Sequence, residues 1–242
     1  MRNITTVLLL LVSQLSFAGA DYAREKKWAD EIEPGIVVGD PVYLELKNGH
    51  KYLTLYTEAK DAKMGLVVIH GLGIHPDWNM IGTLRAQLAE QGYTTLSIQM
   101  PVLANDAESK AYQPLFPEAT QRIDVAVDFL LAKGYKKVAI VSHSMGSAMS
   151  RIYVEKNQSK LFAWASLGMA QDFAYAGIRI PVLDLYGEHD MPPVLKTAAK
   201  RAASLKENLQ SRQVRVARSD HFYNNHEIEM VKQVKNFLDS LK

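Results

Sequence analysis

The sequence predicts a single α/β domain, residues 21–242, built on a mainly parallel sheet. Continuous apolar runs of strand length, such as those at 66–69 and 138–141, alternate with segments whose apolar residues recur at helical spacing. This alternation continues along most of the chain without an internal repeat or a low-complexity tract, which indicates βαβ units. The composition is that of a globular protein, since 48% of the 242 residues are hydrophobic and 22% are charged.

The first predicted elements do not follow the βαβ pattern. Residues 21–40 are charged and irregular, and we expect a surface arm there. Alternating residues at 42–46 and 52–56 then flank Asn48-Gly49, a turn dipeptide that predicts an antiparallel hairpin. Further strands are expected at 66–69, 94–100, 138–141, 162–167, 180–186 and 214–217. Helices are expected around 81–88, 123–131, 145–156, 194–209 and 226–241.

The segment 1–20 has the three parts of a secretory signal peptide. Arg2 gives a positive start, residues 4–12 form a short apolar core, and Ala18-Gly19-Ala20 matches a small-x-small cleavage site. The apolar run is too short to cross a bilayer, which takes about 20 residues. We therefore predict an exported protein without a transmembrane anchor, periplasmic in a Gram-negative bacterium and secreted otherwise.

Cysteine content and net charge exclude several function classes. The chain contains no cysteine, which excludes disulfides, a thiolate nucleophile and a Cys-ligated metal. A formal net charge of +2 does not favour nucleic acid as a partner. Basic residues recur along 196–218, but an apolar stripe accompanies them, so we expect the solvated face of a packed helix. The stripe consists of Leu195, Ala199, Ala202, Leu205 and Leu209.

A serine lies where the strand at 138–141 meets the next helix, in Ser142-His143-Ser144-Met145-Gly146. This strand–turn–helix junction puts the Ser144 hydroxyl at its apex between small residues, as a strained nucleophile turn requires. The helix N-terminus favours negative charge that develops there. Ser144 also fits an ordinary helix N-cap, so its partners decide between the two interpretations.

A serine nucleophile needs a base, and the base needs an orienting group. Asp190 and His221 follow the strands at 180–186 and 214–217. With Ser144 they lie just past the carboxyl ends of parallel strands, where open α/β sheets build their sites. Glu188 and Asp184 are alternatives to Asp190, and the alternative to His221 is His226, which opens the last helix.

The turn His70-Gly71-Leu72-Gly73 follows the strand at 66–69. Its glycines allow the backbone to approach closely. We expect the N–H groups of Leu72 and Met145 to hold an oxyanion and His70 to brace the turn through backbone hydrogen bonds.

Other histidines bear on a metal interpretation. With His70, His75 and His143 are expected near the pocket, and three histidines near one site suggest a metal site. No metal-ligand spacing in the sequence supports one. We predict no metal and no cofactor.

These motifs resemble the α/β-hydrolase superfamily over nearly all of residues 21–242. The matching positions are the His70-Gly71 turn, the junction at Ser144 with Gly146, the segment 187–190 and Asp220-His221-Phe222. The run 71–78, with Leu84-Arg85 and Gln99-Met100-Pro101, is similar to a group of exported bacterial hydrolase-like proteins without an assigned activity.

The resemblance implies an eight-stranded sheet with helices on both faces, Ser144 as nucleophile, His221 as base and Asp190 as its orienting group. Ser142 replaces the first glycine of the family's serine turn. The gap between Leu167 and Ile180 is too short for a sizeable lid, so an open site is expected, shaded by the long connection 102–117.

The function expected from the sequence is an exported serine hydrolase that cleaves a carboxylic ester or related acyl bond through an acyl-enzyme. The substrate class is a small-molecule or lipid-like acyl compound. Two alternatives stay open: an acyltransferase or peptidase that uses the same triad, and a non-catalytic envelope binding protein on a hydrolase scaffold. Neither the oligomeric state nor the acyl length is predicted.

Overall fold

The computed structural model describes residues 19–62 and 64–241. Within these residues, eight strands form one sheet in the order β1-β2-β4-β3-β5-β6-β7-β8. The strands are β1 (Asp40–Glu45), β2 (Lys51–Thr57), β3 (Gly65–Ile69), β4 (Thr94–Ile98), β5 (Val138–His143), β6 (Ala163–Leu167), β7 (Val182–His189) and β8 (Arg212–Asp220). The α-helices are α1 (Tyr22–Ile32), α2 (Asn79–Glu90), α3 (Phe116–Ala132), α4 (Met145–Asn157), α5 (Pro192–Ser204) and α6 (Glu227–Ser240).

The predicted signal peptide, residues 1–20, lies outside the described residues except for Gly19 and Ala20. Export therefore stays a prediction. Among the described residues, no helix combines the length and the apolar character needed to cross a bilayer.

Strand directions confirm the predicted fold class. Strands β1 and β2 form the N-terminal hairpin, and β2 also runs antiparallel to β4. All other neighbouring pairs of strands are parallel. The carboxyl ends of β3, β5, β7 and β8 therefore lie at one edge of the sheet, and the candidate site is built there.

Helices cover both faces of the sheet, as predicted. In β3, Val67 and Ile69 pack in one core cluster with residues of α3 and α4, whereas Leu66 and Val68 pack in a second cluster with α2 and α6. Because both faces of β3 are buried, its sequence is a continuous apolar run rather than an alternating one.

The surface arm expected at 21–40 is wrong, because α1 occupies much of this segment. The Asp21 carboxylate caps the helix by accepting from the Arg24 backbone N–H at 2.9 Å. Glu25 and Ala29, one turn apart, form its buried face. Glu25 is buried because the Arg122 guanidinium of α3 donates to its two carboxylate oxygens at 2.9 and 3.0 Å. A helix that buries an ion pair lacks the apolar periodicity on which the prediction depended.

The face that α5 buries also differs from the predicted apolar stripe. Its buried residues are Val194, Ala198 and Arg201, while Leu195 is 39% exposed and Leu209, beyond the helix, is 96% exposed. Arg201 turns inward because its Nε donates to the Asp184 carboxylate at 2.9 and 3.0 Å. Asp184 thus belongs to a buried ion pair in the core rather than to the site.

The long connection 102–117 contains a 3-10 helix, Ser109–Leu115, before α3 begins at Phe116. Tyr112 and Leu115 of this turn are buried. No helix interrupts the described connection between β6 and β7, in agreement with the expected absence of a sizeable lid.

Candidate active site

The backbone at Ser144 is strained where β5 gives way to α4. Its φ of 54° and ψ of −121° are sparsely populated for a residue with a side chain. The Ser144 side chain caps no N–H group of α4. Its Oγ instead lies 2.9 Å from Nε2 of His221. The N-cap interpretation therefore does not fit this serine.

Close contacts explain the small residues around Ser144. A Cβ at Gly146 would lie 2.2 Å from the His70 carbonyl oxygen, and a Cβ at Gly71 would lie 3.1 Å from the Ser144 Cβ. The Ser142 side chain is accommodated in the core, where its Oγ accepts from the Trp164 indole Nε1–H at 2.8 Å. The departure from the family's glycine at this position leaves the turn intact.

His221 bridges Ser144 and Asp190. Its Nδ1 lies 2.6 Å from Oδ1 of Asp190. A carboxylate only accepts, so Nδ1 carries the proton, and Nε2 offers a lone pair to the Ser144 hydroxyl. His221 and Asp190 are 5% and 4% exposed, which excludes most competing water from this line of hydrogen bonds.

Backbone amides fix the Asp190 carboxylate. Oδ2 accepts from the Gly187 N–H at 3.0 Å and Oδ1 from the Met191 N–H at 2.7 Å. The alternatives to Asp190 and His221 lie elsewhere. Glu188 accepts from the Arg218 backbone N–H, and His226 directly precedes α6.

The turn that precedes Leu72 is held by His70, which is buried. Met100 N–H donates to His70 Nε2 at 2.9 Å, so His70 Nδ1 donates to the Gly71 carbonyl at 2.8 Å. Burial lowers the pKa of His70 from 6.5 to about 3, which keeps the ring neutral. In a trans peptide the C=O and the next N–H point in opposite directions. The anchored Gly71 carbonyl therefore directs the Leu72 N–H away from His70.

The candidate oxyanion donors share a cavity with Ser144. In the described part of the chain, no group accepts a hydrogen bond from the backbone N–H of Leu72 or of Met145. Both residues line a cavity of about 420 Å³ that opens beside Ser144. Its remaining walls are mostly apolar, with polar side chains from the 3-10 helix and from Gln171. They consist of Ser109, Lys110, Gln113, Phe116, Ala148, Ala170, Gln171, Met191 and Pro193. The connection 102–117 thus shades the site, as expected.

His143 packs directly on His221. The two ring centroids are 4.8 Å apart, and His143 Nε2 donates to the His221 carbonyl at 2.9 Å. Burial, with repulsion from His221, lowers the pKa of His143 from 6.5 to about 4. A neutral His143 can hold the backbone of His221 without placing a second positive charge beside it.

Gly168 also shapes the site, and the sequence analysis did not identify it. Its φ is 58°, and a Cβ there would lie 2.9 Å from His221 Cε1. The only signal in the sequence is a glycine directly after β6. Because it lies in a connection without periodicity, its role emerges only from the contact with His221.

The remaining candidates do not form a metal site. His75 packs edge-on against Trp28 at 5.8 Å and does not line the cavity. Within residues 19–62 and 64–241, no group of three His, Asp or Glu side chains has an arrangement suited to a metal ion.

Comparison with solved structures identifies the fold. Est1E from Butyrivibrio proteoclasticus superposes with a TM-score of 0.67 at 16% sequence identity, over 83% of this chain and 98% of that one. An α/β serine hydrolase without a lid from Xanthomonas campestris superposes with a TM-score of 0.68 at 13% identity, over 85% of this chain and 95% of that one. The chain has the α/β-hydrolase fold, which confirms the fold that the resemblance implied.

Sequence matches cover smaller parts of the chain. A family model described as "Protein of unknown function (DUF3530)" matches residues 42–119, less than half of the chain. The Pongo abelii protein ABHD14B, named as a candidate protein-lysine deacylase, is 26% identical over 135 residues. That match spans 53% of this chain and 63% of the relative, which is less than two thirds of its length.

Replacing Gly168 by alanine should displace His221. We expect the rate constant for labelling by a serine-directed fluorophosphonate to fall at least about tenfold, because a positioned base contributes roughly 100- to 10,000-fold. Gly177→Ala is the matched control, since Gly177 also has a positive φ of 85° but its Cβ would meet nothing within 4 Å. Equal labelling rates for the two variants would contradict the role of Gly168.

His143 should make stability depend on pH. Its pKa is lowered to about 4 in the folded chain, so between pH 6.5 and 4 the unfolded chain binds a proton that the folded chain does not. Stability therefore falls as the pH falls through this window, by at most about 1.4 kcal/mol per pH unit for one proton. Urea unfolding at several pH values should give a shallower decline for His143→Gln. Parallel declines for this variant and the wild type would contradict the prediction.

Proposed function

We propose that this protein is an exported serine hydrolase that cleaves a carboxylic ester or a related acyl bond. The observation that supports the proposal is the line of hydrogen bonds from Asp190 through His221 to Ser144, 2.6 and 2.9 Å long. It ends on a serine held in a strained turn beside a cavity. An ordinary surface serine has neither the oriented base nor the strained backbone.

In the first half of the proposed reaction, Ser144 Oγ attacks the carbonyl carbon of the substrate. His221 Nε2 takes the hydroxyl proton, and Asp190 stabilises the resulting imidazolium through Nδ1–H. The N–H groups of Leu72 and Met145 stabilise the oxyanion of the tetrahedral intermediate. Collapse of the intermediate breaks the bond to the leaving group, which receives the proton from His221.

In the second half, water attacks the acyl group on Ser144. His221 takes a proton from this water and returns it to Ser144 Oγ as the acid leaves. No step needs a cofactor. The neutral His143 and His70 add no positive charge that would oppose formation of the His221 imidazolium.

The lining of the cavity favours a substrate with an apolar acyl group. Leu72, Phe116, Met145 and Met191 give it an apolar lining, and its volume of about 420 Å³ is typical of small-molecule sites. Ile74 and Trp78, which follow Leu72 in the chain, pack against the core and do not line the cavity.

Export is proposed from the sequence of residues 1–20 alone. The small-x-small motif ends at Ala20, and α1 begins directly afterwards at Tyr22. Removal of the segment would leave the described helix intact.

Amide-linked acyl groups are a second candidate substrate class. The relative from Pongo abelii is named as a candidate protein-lysine deacylase, and the proposed machinery would attack an amide carbonyl in the same way. Parallel assays with an ester and an amide of the same acid, with and without an added alcohol acceptor, separate esterase, amidase and acyltransferase activities.

The proposal predicts that a fluorophosphonate labels one serine, Ser144. Ser144→Ala should abolish labelling, and His221→Ala should slow it by about 100-fold or more, because the base is lost. Labelling is followed by intact-protein mass spectrometry, with Ser159→Ala as the control because Ser159 is an exposed serine outside the cavity. A folded wild-type protein that stays unlabelled at high probe concentration would contradict the proposal and favour a non-catalytic binding protein.

A further inference from the structure

We infer that Arg24 of α1 is a positioning residue for the turn that presents the Leu72 N–H. The inference rests on the proposed function, because it concerns an oxyanion donor of the same site. It assigns to α1 a part in the chemistry at the edge of the sheet where the candidate site lies. The guanidinium of Arg24 contacts both the turn after β3 and the connection that follows β4.

Arg24 joins these two segments through its guanidinium. Nη2 donates to the Gly73 carbonyl at 3.2 Å and to Asn105 Oδ1 at 2.6 Å, and Nη1 donates to the Leu103 carbonyl. The Trp28 ring, one turn along α1, lies 4.3 Å from the guanidinium carbon. Stacking on an aromatic face limits the orientations of this long side chain.

The contact with Gly73 completes the support of Leu72. His70 anchors the carbonyl of Gly71, the residue before Leu72, and Arg24 anchors the carbonyl of Gly73, the residue after it. Leu72 itself is 38% exposed, so packing of its side chain does little to fix the turn. Gly73 has a φ of 66°, a conformation that a glycine adopts and leaves readily. Without Arg24, the turn would be held on one side only.

The same guanidinium steadies the segment that leads to the cavity wall. Leu103, whose carbonyl accepts from Arg24, donates its own N–H to the Tyr112 hydroxyl at 3.1 Å. Tyr112 is buried in the 3-10 helix that supplies Ser109, Lys110 and Gln113 to the cavity. Arg24 therefore links the turn at Gly71–Gly73 to the side of the cavity that the 3-10 helix forms.

Arg24 is not the main anchor of α1. The buried Glu25–Arg122 ion pair attaches the helix to α3, and the Asp21 N–H donates to the Val102 carbonyl at 2.7 Å. Replacing Arg24 should therefore leave α1 docked. The change would act on the orientation of the turn rather than on the fold.

The effect of Arg24 should appear in kcat more than in KM. An oxyanion donor interacts most strongly with the charge that develops in the transition state. Complete removal of one donor costs roughly 100- to 1,000-fold in kcat, and a donor left present but less well oriented costs less. We expect Arg24→Ala to lower kcat about tenfold and to change KM by less than about threefold.

The experiment compares Arg24→Ala, Arg24→Lys and Lys26→Ala in the full chain. It measures kcat and KM with a p-nitrophenyl ester, the rate constant of fluorophosphonate labelling, and the thermal midpoint. Arg24→Lys keeps one cationic donor and should recover part of kcat. Lys26→Ala is the control, because Lys26 is exposed on the same helix and, within residues 19–62 and 64–241, forms its ion pair with Asp30.

The expected result is a parallel fall of kcat and labelling rate in Arg24→Ala, with Lys26→Ala unchanged. A folded Arg24→Ala with wild-type kcat, or with a change in KM alone, would overturn the inference. If the alanine variant does not fold, a folded Arg24→Lys with wild-type kcat would overturn it equally. A wild-type protein that the fluorophosphonate does not label would instead overturn the proposed function, so the two failures are distinguishable.

Discussion

The strained backbone at Ser144 is the constraint around which the site is arranged. A positive φ at a residue with a side chain costs about 1–3 kcal/mol, and it persists only where surrounding contacts hold it. The Ser144 N–H donates to the Leu167 carbonyl at 2.8 Å, which ties the turn to the neighbouring strand. The close approach of β3, β5 and α4 leaves no room for a Cβ at Gly146 and would make one at Gly71 a tight contact. Sheet, helix and turn therefore support the partly buried Ser144 hydroxyl beside the cavity.

Two neutral imidazoles, those of His70 and His143, hold the backbone of the site. Both rings are buried, and burial lowers the pKa of His70 to about 3 and the pKa of His143 to about 4. Each ring donates one hydrogen bond to a backbone carbonyl of the site. His70 donates to Gly71, the residue before Leu72, and His143 donates to His221 itself. They hold the backbone of the turn and of His221, and as neutral rings they add no positive charge beside Asp190 and His221.

Local patterns in the sequence predicted most of the sheet and the three central side chains. Buried strands in a parallel sheet are continuous apolar runs, and Ser144 follows such a run. Asp190 and His221 follow the last two predicted strands, β7 and β8. The failures share one cause, which is pairing between residues far apart in the chain. Helix α1 buries Glu25 against Arg122, and α5 buries Arg201. Neither face follows the apolar periodicity of a packed helix, so only the assembled fold reveals it.

The most direct test of covalent catalysis at Ser144 is the pre-steady-state release of p-nitrophenol from an activated ester. A nucleophilic Ser144 that forms an acyl-enzyme predicts a burst equal in amount to the enzyme. It also predicts an acyl adduct on Ser144 in peptides from the quenched reaction. Covalent catalysis at Ser144 would be contradicted if p-nitrophenol were released linearly from the start and no adduct were found on Ser144. This result counts only if the wild-type protein hydrolyses the ester faster than Ser144→Ala does.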